Sequence, residues 1–163
     1  MKQIAALLLA CALAGGCESL TTLVVTETFI ASLNGAKVKP TAVQTSGTGT
    51  LTVTSSSDTS ALRYDLTFSG LSDAATAAHI HGPAVDSAVA GVLVDFAALP
   101  QGRQGSIQLG TSGTATGSFD LNLNVTPTVT GDSLFKLLQA GLLYVDVHTA
   151  SNSAGEIRGQ IVR

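Results

Sequence analysis

Aromatic side chains are scarce in this chain, with two Tyr, five Phe and no Trp among 163 residues. Its core must therefore be built from Leu, Val, Ile and Ala. Charge is equally thin: 8 Lys and Arg stand against 11 Asp and Glu, a formal net charge of −3 with no basic cluster. That excludes a nucleic-acid groove, which needs a cationic patch to neutralise phosphates. No apolar run reaches the roughly 18 residues of a membrane-spanning helix. The cysteines are Cys11 and Cys17 alone, so the body of the chain offers no thiol nucleophile. There is no Gly-x-Ser-x-Gly elbow and no carboxylate pair, which leaves hydrolytic chemistry without a constellation. Asp65, Asp120 and Asp146 fall on polar strand faces and read as solvated surface. These absences favour a non-enzymatic protein.

At the N-terminus, Lys2 and the short apolar stretch from Ile4 to Ala14 have the form of an export signal. Small residues, Ala14-Gly15-Gly16, then lead into Cys17, and this junction resembles the lipobox of bacterial lipoproteins. The resemblance implies that Cys17 is lipidated and becomes the first residue of the mature protein. Three parts follow: a signal peptide over 1–16, a lipid-anchored tether over 17–27 and a β domain over 28–163. Glu18 stands where an Asp would mark inner-membrane retention, so the expected location is the cell envelope, at the outer membrane or cell surface. The lipid is then the chain's membrane contact. No disulfide can form once Cys11 is removed with the signal, and hydrophobic packing must suffice.

Beyond the tether, apolar and polar residues alternate with the period of two that marks half-buried antiparallel strands. Seventeen glycines among many Thr and Val suit short strands and tight turns. Leu62, Tyr64, Leu66 and Phe68 alternate with Arg63, Asp65 and Thr67 in the clearest case. Its expected partner is the preceding Thr-rich strand, Thr50 to Thr54. Seven further strands are expected at Phe29–Leu33, Ala77–His81, Gly91–Phe96, Gly105–Leu109, Gly113–Val125, Leu142–His148 and Glu156–Val162. The low-complexity stretch from Gly110 to Gly117 has no Lys placed for a phosphate loop and reads as a turn. One helix is expected, Asp132 to Ala140, with Leu134, Leu137 and Leu138 on one face, Thr130 or Asp132 as its cap and Gly141 as its stop. The fold class is all-β: an antiparallel Greek-key barrel or sandwich with one short helix. Its core should include Leu62, Tyr64, Leu66, Phe68, Val92, Val94, Phe119, Leu121, Val145 and Val147.

The three histidines are His79, His81 and His148. An i, i+2 pair on a strand points both imidazoles to one face. In the other strand Leu143, Val145 and Val147 form the apolar face, so Tyr144, Asp146 and His148 share the opposite one. Were the two strands neighbours, three imidazoles would converge as a ligand set for copper or zinc. The alternative is structural: Asp146 or Glu156 holds His148 by a hydrogen bond, without metal. Arg158 could likewise pair with Glu156 on its own strand face.

At these residues the chain resembles the chordin-type (CHRD) domain. The resemblance is carried by Ala78-His79-Ile80-His81-Gly82-Pro83-Ala84, Gly91-Val92-Leu93-Val94, Tyr144-Val145-Asp146-Val147-His148-Thr149 and Gly155-Glu156-Ile157-Arg158-Gly159-Gln160-Ile161. It begins near Phe29 and covers nearly the whole mature chain. It implies an extracellular binding module whose partner is a protein or glycan, and it names no reaction. A more distant similarity is to copper/zinc superoxide dismutase, with its flattened Greek-key barrel. The order His79, His81, His148 matches that enzyme's copper motif, and Arg158 its anion-guiding arginine. The other ligands and the disulfide of that family have no counterpart. What the similarity implies is a mononuclear copper or zinc protein, redox-active in a dismutase-like way if a coordination position stays open.

Overall fold

The computed structural model describes residues 26–56, 58–99 and 104–163. The export signal, Cys17 and nearly all of the tether lie outside the described residues. Eleven strands and one α-helix follow in chain order: β1 (Thr28–Asn34), β2 (Thr48–Ser55), β3 (Ala61–Ser69), β4 (Ala75–His81), β5 (Val92–Asp95), β6 (Gln104–Gln108), β7 (Gly113–Asp120), β8 (Asn124–Thr126), β9 (Val129–Thr130), α1 (Gly131–Gln139), β10 (Leu143–Thr149) and β11 (Ile157–Ile161). Nine of the strands form one antiparallel sheet in the order β5-β4-β10-β11-β1-β2-β3-β7-β6, and β8 and β9 make a small separate ladder. The last strand returns to lie beside β1. No helix among the described residues is long and apolar enough to cross a membrane.

The sheet curls so that its two halves face each other as a half-barrel. Tyr64 on β3 packs on Phe96, just past the edge strand β5, with ring centroids 4.9 Å apart. Backbone bonds from Leu71 N to Thr111 O (3.1 Å) and from Ala75 N to Gly110 O (2.9 Å) tie the β3–β4 connection to the β6–β7 bend. Alternation decides which side chains enter the interior. Leu62, Tyr64, Leu66 and Phe68 are all buried while Arg63, Asp65 and Thr67 are exposed, and the Thr-rich β2 is the expected partner, in the register Leu51↔Leu66. Aromatic area comes from few residues, so Tyr64 is shared: it also stacks on Phe119 at 4.9 Å.

Helix α1 closes one end of the half-barrel, burying Leu134 and Leu138 and setting Phe135 edge-on to Phe29 at 6.3 Å. Of the two candidate caps it is Thr130 that serves, its hydroxyl accepting from Ser133 N at 3.1 Å. Gly141 at φ +66 stops the helix. Its N–H donates to Leu138 O and that of Leu142 to Leu137 O, both at 3.0 Å, the paired bonds of a Schellman stop that a left-handed glycine permits.

Three sequence expectations need correction. Val92 is 47% exposed: pairings Ile80↔Val94 and His81↔Val92 enclose a bulge, and the extra residue, Leu93, reverses the parity of Val92. The long strand expected from Gly113 to Val125 stops at Asp120, whose carboxylate accepts from Asn122 N at 2.8 Å and turns the chain. The turn expected from Gly110 to Gly117 is correspondingly short, because β7 begins at Gly113.

Glu156, fully buried, ties the connections around β11 together. Its Oε1 accepts from Thr45 Oγ1 (2.6 Å) and Ser72 N (2.7 Å). Its Oε2 accepts from Ser72 Oγ (2.6 Å) and Thr149 Oγ1 (2.7 Å). Burial pushes this carboxyl's pKa up, but the bonds from Ser72, Thr45 and Thr149 outweigh it and bring the value down to about 2. A folded-state pKa below the unfolded one means that the stabilisation is complete above the unfolded value, about 4.3, and is lost as pH falls towards 2. Denaturant titrations at neutral pH, pH 4.5 and pH 2.5 should show this decline, and Glu156→Gln should show less of it. An equal decline in both proteins would assign the acid sensitivity elsewhere.

Candidate metal centre

Strands β4 and β10 are neighbours, in the register Tyr144↔His81, Asp146↔His79 and His148↔Ala77. The two i, i+2 pairs, His79/His81 and Asp146/His148, therefore project from adjacent strands on the same face, opposite the buried Ala78, Ile80, Val145 and Val147. One ligand atom from each of His79, His81, Asp146 and His148 lies within 4.8 Å of all the others. Strand parity alone puts the three histidines on matching faces, and the pairing of β4 with β10 brings them together. The fourth, Asp146, was expected on solvated surface and is instead 5% exposed.

The contacts define the tautomers. His81 Nδ1 lies 3.0 Å from Ala90 O, and His148 Nδ1 lies 3.0 Å from Ser153 O. A carbonyl only accepts, so each Nδ1 carries the hydrogen and each neutral ring presents the Nε2 lone pair. Both of these atoms meet Asp146 Oδ1, at 3.1 Å from His81 and 3.0 Å from His148. His79 Nδ1 adds another nitrogen 3.0 Å from His148 Nε2. Its Nε2 is 4.0 Å from Asp95 Oδ1, beyond hydrogen-bond reach, so in the metal-free protein His79 Nδ1–H can donate to the His148 Nε2 lone pair. Two lone pairs and a carboxylate oxygen facing one another repel unless a cation, proton or metal, lies among them.

The same crowding acts on protonation. For His148, burial pushes the pKa down, but the hydrogen bond and charge of Asp146 outweigh it and the value is raised. His79 is lowered, first by burial and then by the charge of His148. Burial pushes Asp146 up, yet the bonds from His148 and His81 hold its carboxyl below the usual range.

This outer face is buried because loops cover it. The segment 82–91 crosses β10 and β11, where Ala90 N donates to Tyr144 Oη at 3.1 Å and Gln160 Nε2 donates to Ala84 O at 2.8 Å. Tyr144 stacks on His81, parallel within 1° at 4.8 Å, and the Arg158 guanidinium lies 3.7 Å from the Tyr144 ring centroid. The expected pairing of Arg158 with Glu156 does not occur. Glu156 is satisfied by hydroxyls, and Arg158 Nη2 donates to Asp86 O (3.2 Å) and Ala88 O (2.7 Å). Tyr144 and Asp146 were visible in the sequence as same-face neighbours of His148. The carbonyls of Ala90 and Ser153 were not, because a backbone acceptor has no residue-type signature.

The fold and this face together define an all-β domain carrying a three-histidine, one-aspartate cluster under a loop. The CHRD domain family model matches residues 29–161, and the chain belongs to that family. No curated protein and no solved structure matches it.

Proposed function

We propose that this CHRD-domain protein holds one divalent transition-metal ion, copper(II) in preference to zinc, on the outer face of β4 and β10. The observation that carries this reading is the convergence of His79, His81, Asp146 and His148 within 4.8 Å, with backbone carbonyls turning two Nε2 lone pairs inward. The donor set fits: imidazole nitrogens with one carboxylate oxygen suit copper or zinc, and ligating histidines are commonly oriented by carbonyls accepting from their other nitrogen. Calcium and magnesium prefer all-oxygen shells, which these residues do not offer. A bound ion would supply a fixed positive charge beside the covering loop. Metal analysis of the purified protein after exposure to copper or zinc at neutral pH tests the reading: one ion per chain supports it, and no stoichiometric uptake leaves the histidines structural. Membership of the CHRD family supports the broader reading of a binding module.

We further propose that the domain is displayed at the cell envelope on a lipid at Cys17, supported by Lys2, the short apolar run and the Ala14-Gly15-Gly16-Cys17 junction. Mass spectrometry should find a diacylated Cys17, and Cys17→Ser should leave the precursor uncleaved or release the domain. A soluble mature protein with a free Cys17 thiol would refute the anchor.

A further inference from the structure

The segment 82–91 covers the metal face with little anchorage of its own, for residues 85–89 and Gly91 are all exposed and Ala90 is half-buried. Polar contacts from beneath hold it. Arg158 Nη2 reaches the carbonyls of Asp86 and Ala88, and Tyr144 Oη accepts from Ala90 N at 3.1 Å. A segment fastened by a few hydrogen bonds and little apolar burial lies at the low end of local stability. One further fastening runs through a metal ligand. His81 stands between two acceptors, with Ala90 O 3.0 Å from its Nδ1 and Asp146 Oδ1 3.1 Å from its Nε2. A neutral imidazole has one N–H and can serve one of them. Donating to Ala90 turns the Nε2 lone pair on a carboxylate oxygen, whereas donating to Asp146 turns the Nδ1 lone pair on the Ala90 carbonyl and releases the loop. A divalent ion on Nε2 ends the conflict, because Nδ1–H then stays with Ala90 while the carboxylate faces the ion.

We propose that the segment 82–91 is a lid, held closed by the bound metal through His81 and Ala90 and released in the metal-free protein. The inference rests on the metal reading and adds the regulation of that site. A ligand shifts a conformational equilibrium only through an interaction that differs between the two states, and the bond from His81 Nδ1 to Ala90 O is that interaction. Coupling is reciprocal, so closing the lid tightens the metal in turn. Tyr144 is the positioning residue between the two, since its ring stacks on His81 and its hydroxyl holds Ala90 N.

Amide hydrogen exchange of the purified protein, read by NMR with and without zinc at about pH 7.5, above the ordinary imidazole pKa, tests it. Zinc should slow exchange of the Ala90 amide about tenfold, the worth of one hydrogen bond. The Thr59 amide, bonded to Ser56 O in the β2–β3 turn, should not respond. Asp146→Asn replaces the carboxylate by an amide of the same size, whose N–H can donate to the His81 Nε2 lone pair. The lid should then close without metal, and exchange at Ala90 in the metal-free variant should slow to the level of the zinc-loaded parent. Tyr144→Phe keeps the ring on His81 and removes the hydroxyl; it should release zinc to a chelator several-fold faster, with the unfolding midpoint within a few degrees of the parent. Zinc content measured on the same samples separates the two readings. Stoichiometric zinc with unchanged exchange at Ala90 sinks the lid and keeps the metal site, as does a metal-free Asp146→Asn that exchanges as fast as the metal-free parent, or zinc release from Tyr144→Phe at the parent's rate. No zinc uptake by the parent sinks the metal site and the lid with it.

Discussion

The double variant His79→Ala/His81→Ala is expected to lose stoichiometric copper while its unfolding midpoint stays within a few degrees of the parent. Both imidazoles leave the cluster, and the remaining His148 and Asp146 offer two donors, too few to hold an ion against water at micromolar concentration. Each single His→Ala variant should weaken binding by about 100-fold or more, since disturbing even an outer partner of a ligating histidine typically costs 10- to 100-fold. The fold should survive because His79 and His81 project from the outer face of β4, while Ala78 and Ile80 fill the interior. Copper should bind more tightly than zinc, following the general affinity order for nitrogen and oxygen sites. Affinity should fall as pH is lowered, because only neutral imidazole ligates, and the fall should begin with His148, whose pKa is raised above the ordinary imidazole value. Equilibrium competition against a chelator of known affinity measures all of this. Variants that lose thermal stability and keep their metal would show the histidines to be structural.

Leu66→Ala should destabilise the domain by about 2 to 5 kcal/mol, the range for truncating a fully buried leucine. Leu66 is 0% exposed in a strand flanked on both sides, opposite Leu51 on β2 and Ala115 on β7. Few aromatics are present to shift into the space, and the neighbouring backbones are held by ladder bonds, so the cavity should relax little. Thr67→Ala, one residue along and on the exposed face, should change stability by less than about 0.5 kcal/mol. Urea unfolding should show the first as a lowered midpoint at constant slope. A loss below about half a kcal/mol at Leu66 would mean that this strand is not part of the core.

What could be read from the sequence was what depends on neighbours along the chain. Alternation exposes β3 without ambiguity because each residue reverses face, so four apolar residues two apart must line the interior together. The same parity rule placed His79 with His81, and Tyr144 and Asp146 with His148, before any strand pairing was known. Thr130 and Gly141 were legible as helix ends because a cap hydroxyl and a left-handed glycine act within one turn. Where an extra residue entered a ladder, parity failed. Leu93 carries Val92 out to the surface, and no side-chain pattern announces a bulge.

By itself, the sequence determined the all-β class, the inward-facing residues of regular strands such as β3, and the restriction of any histidine site to His79, His81 and His148. Only the tertiary structure decided that β4 lies beside β10, that Asp146 joins the cluster instead of facing solvent, and that Arg158 turns to Tyr144 and the loop carbonyls instead of to Glu156. The physical reason is range. Side-chain direction is set by local backbone period, whereas burial of a polar group depends on which distant segment covers it. Here that cover is the segment 82–91, whose Ala90, Asp86 and Ala88 carbonyls hold His81 and Arg158 in place.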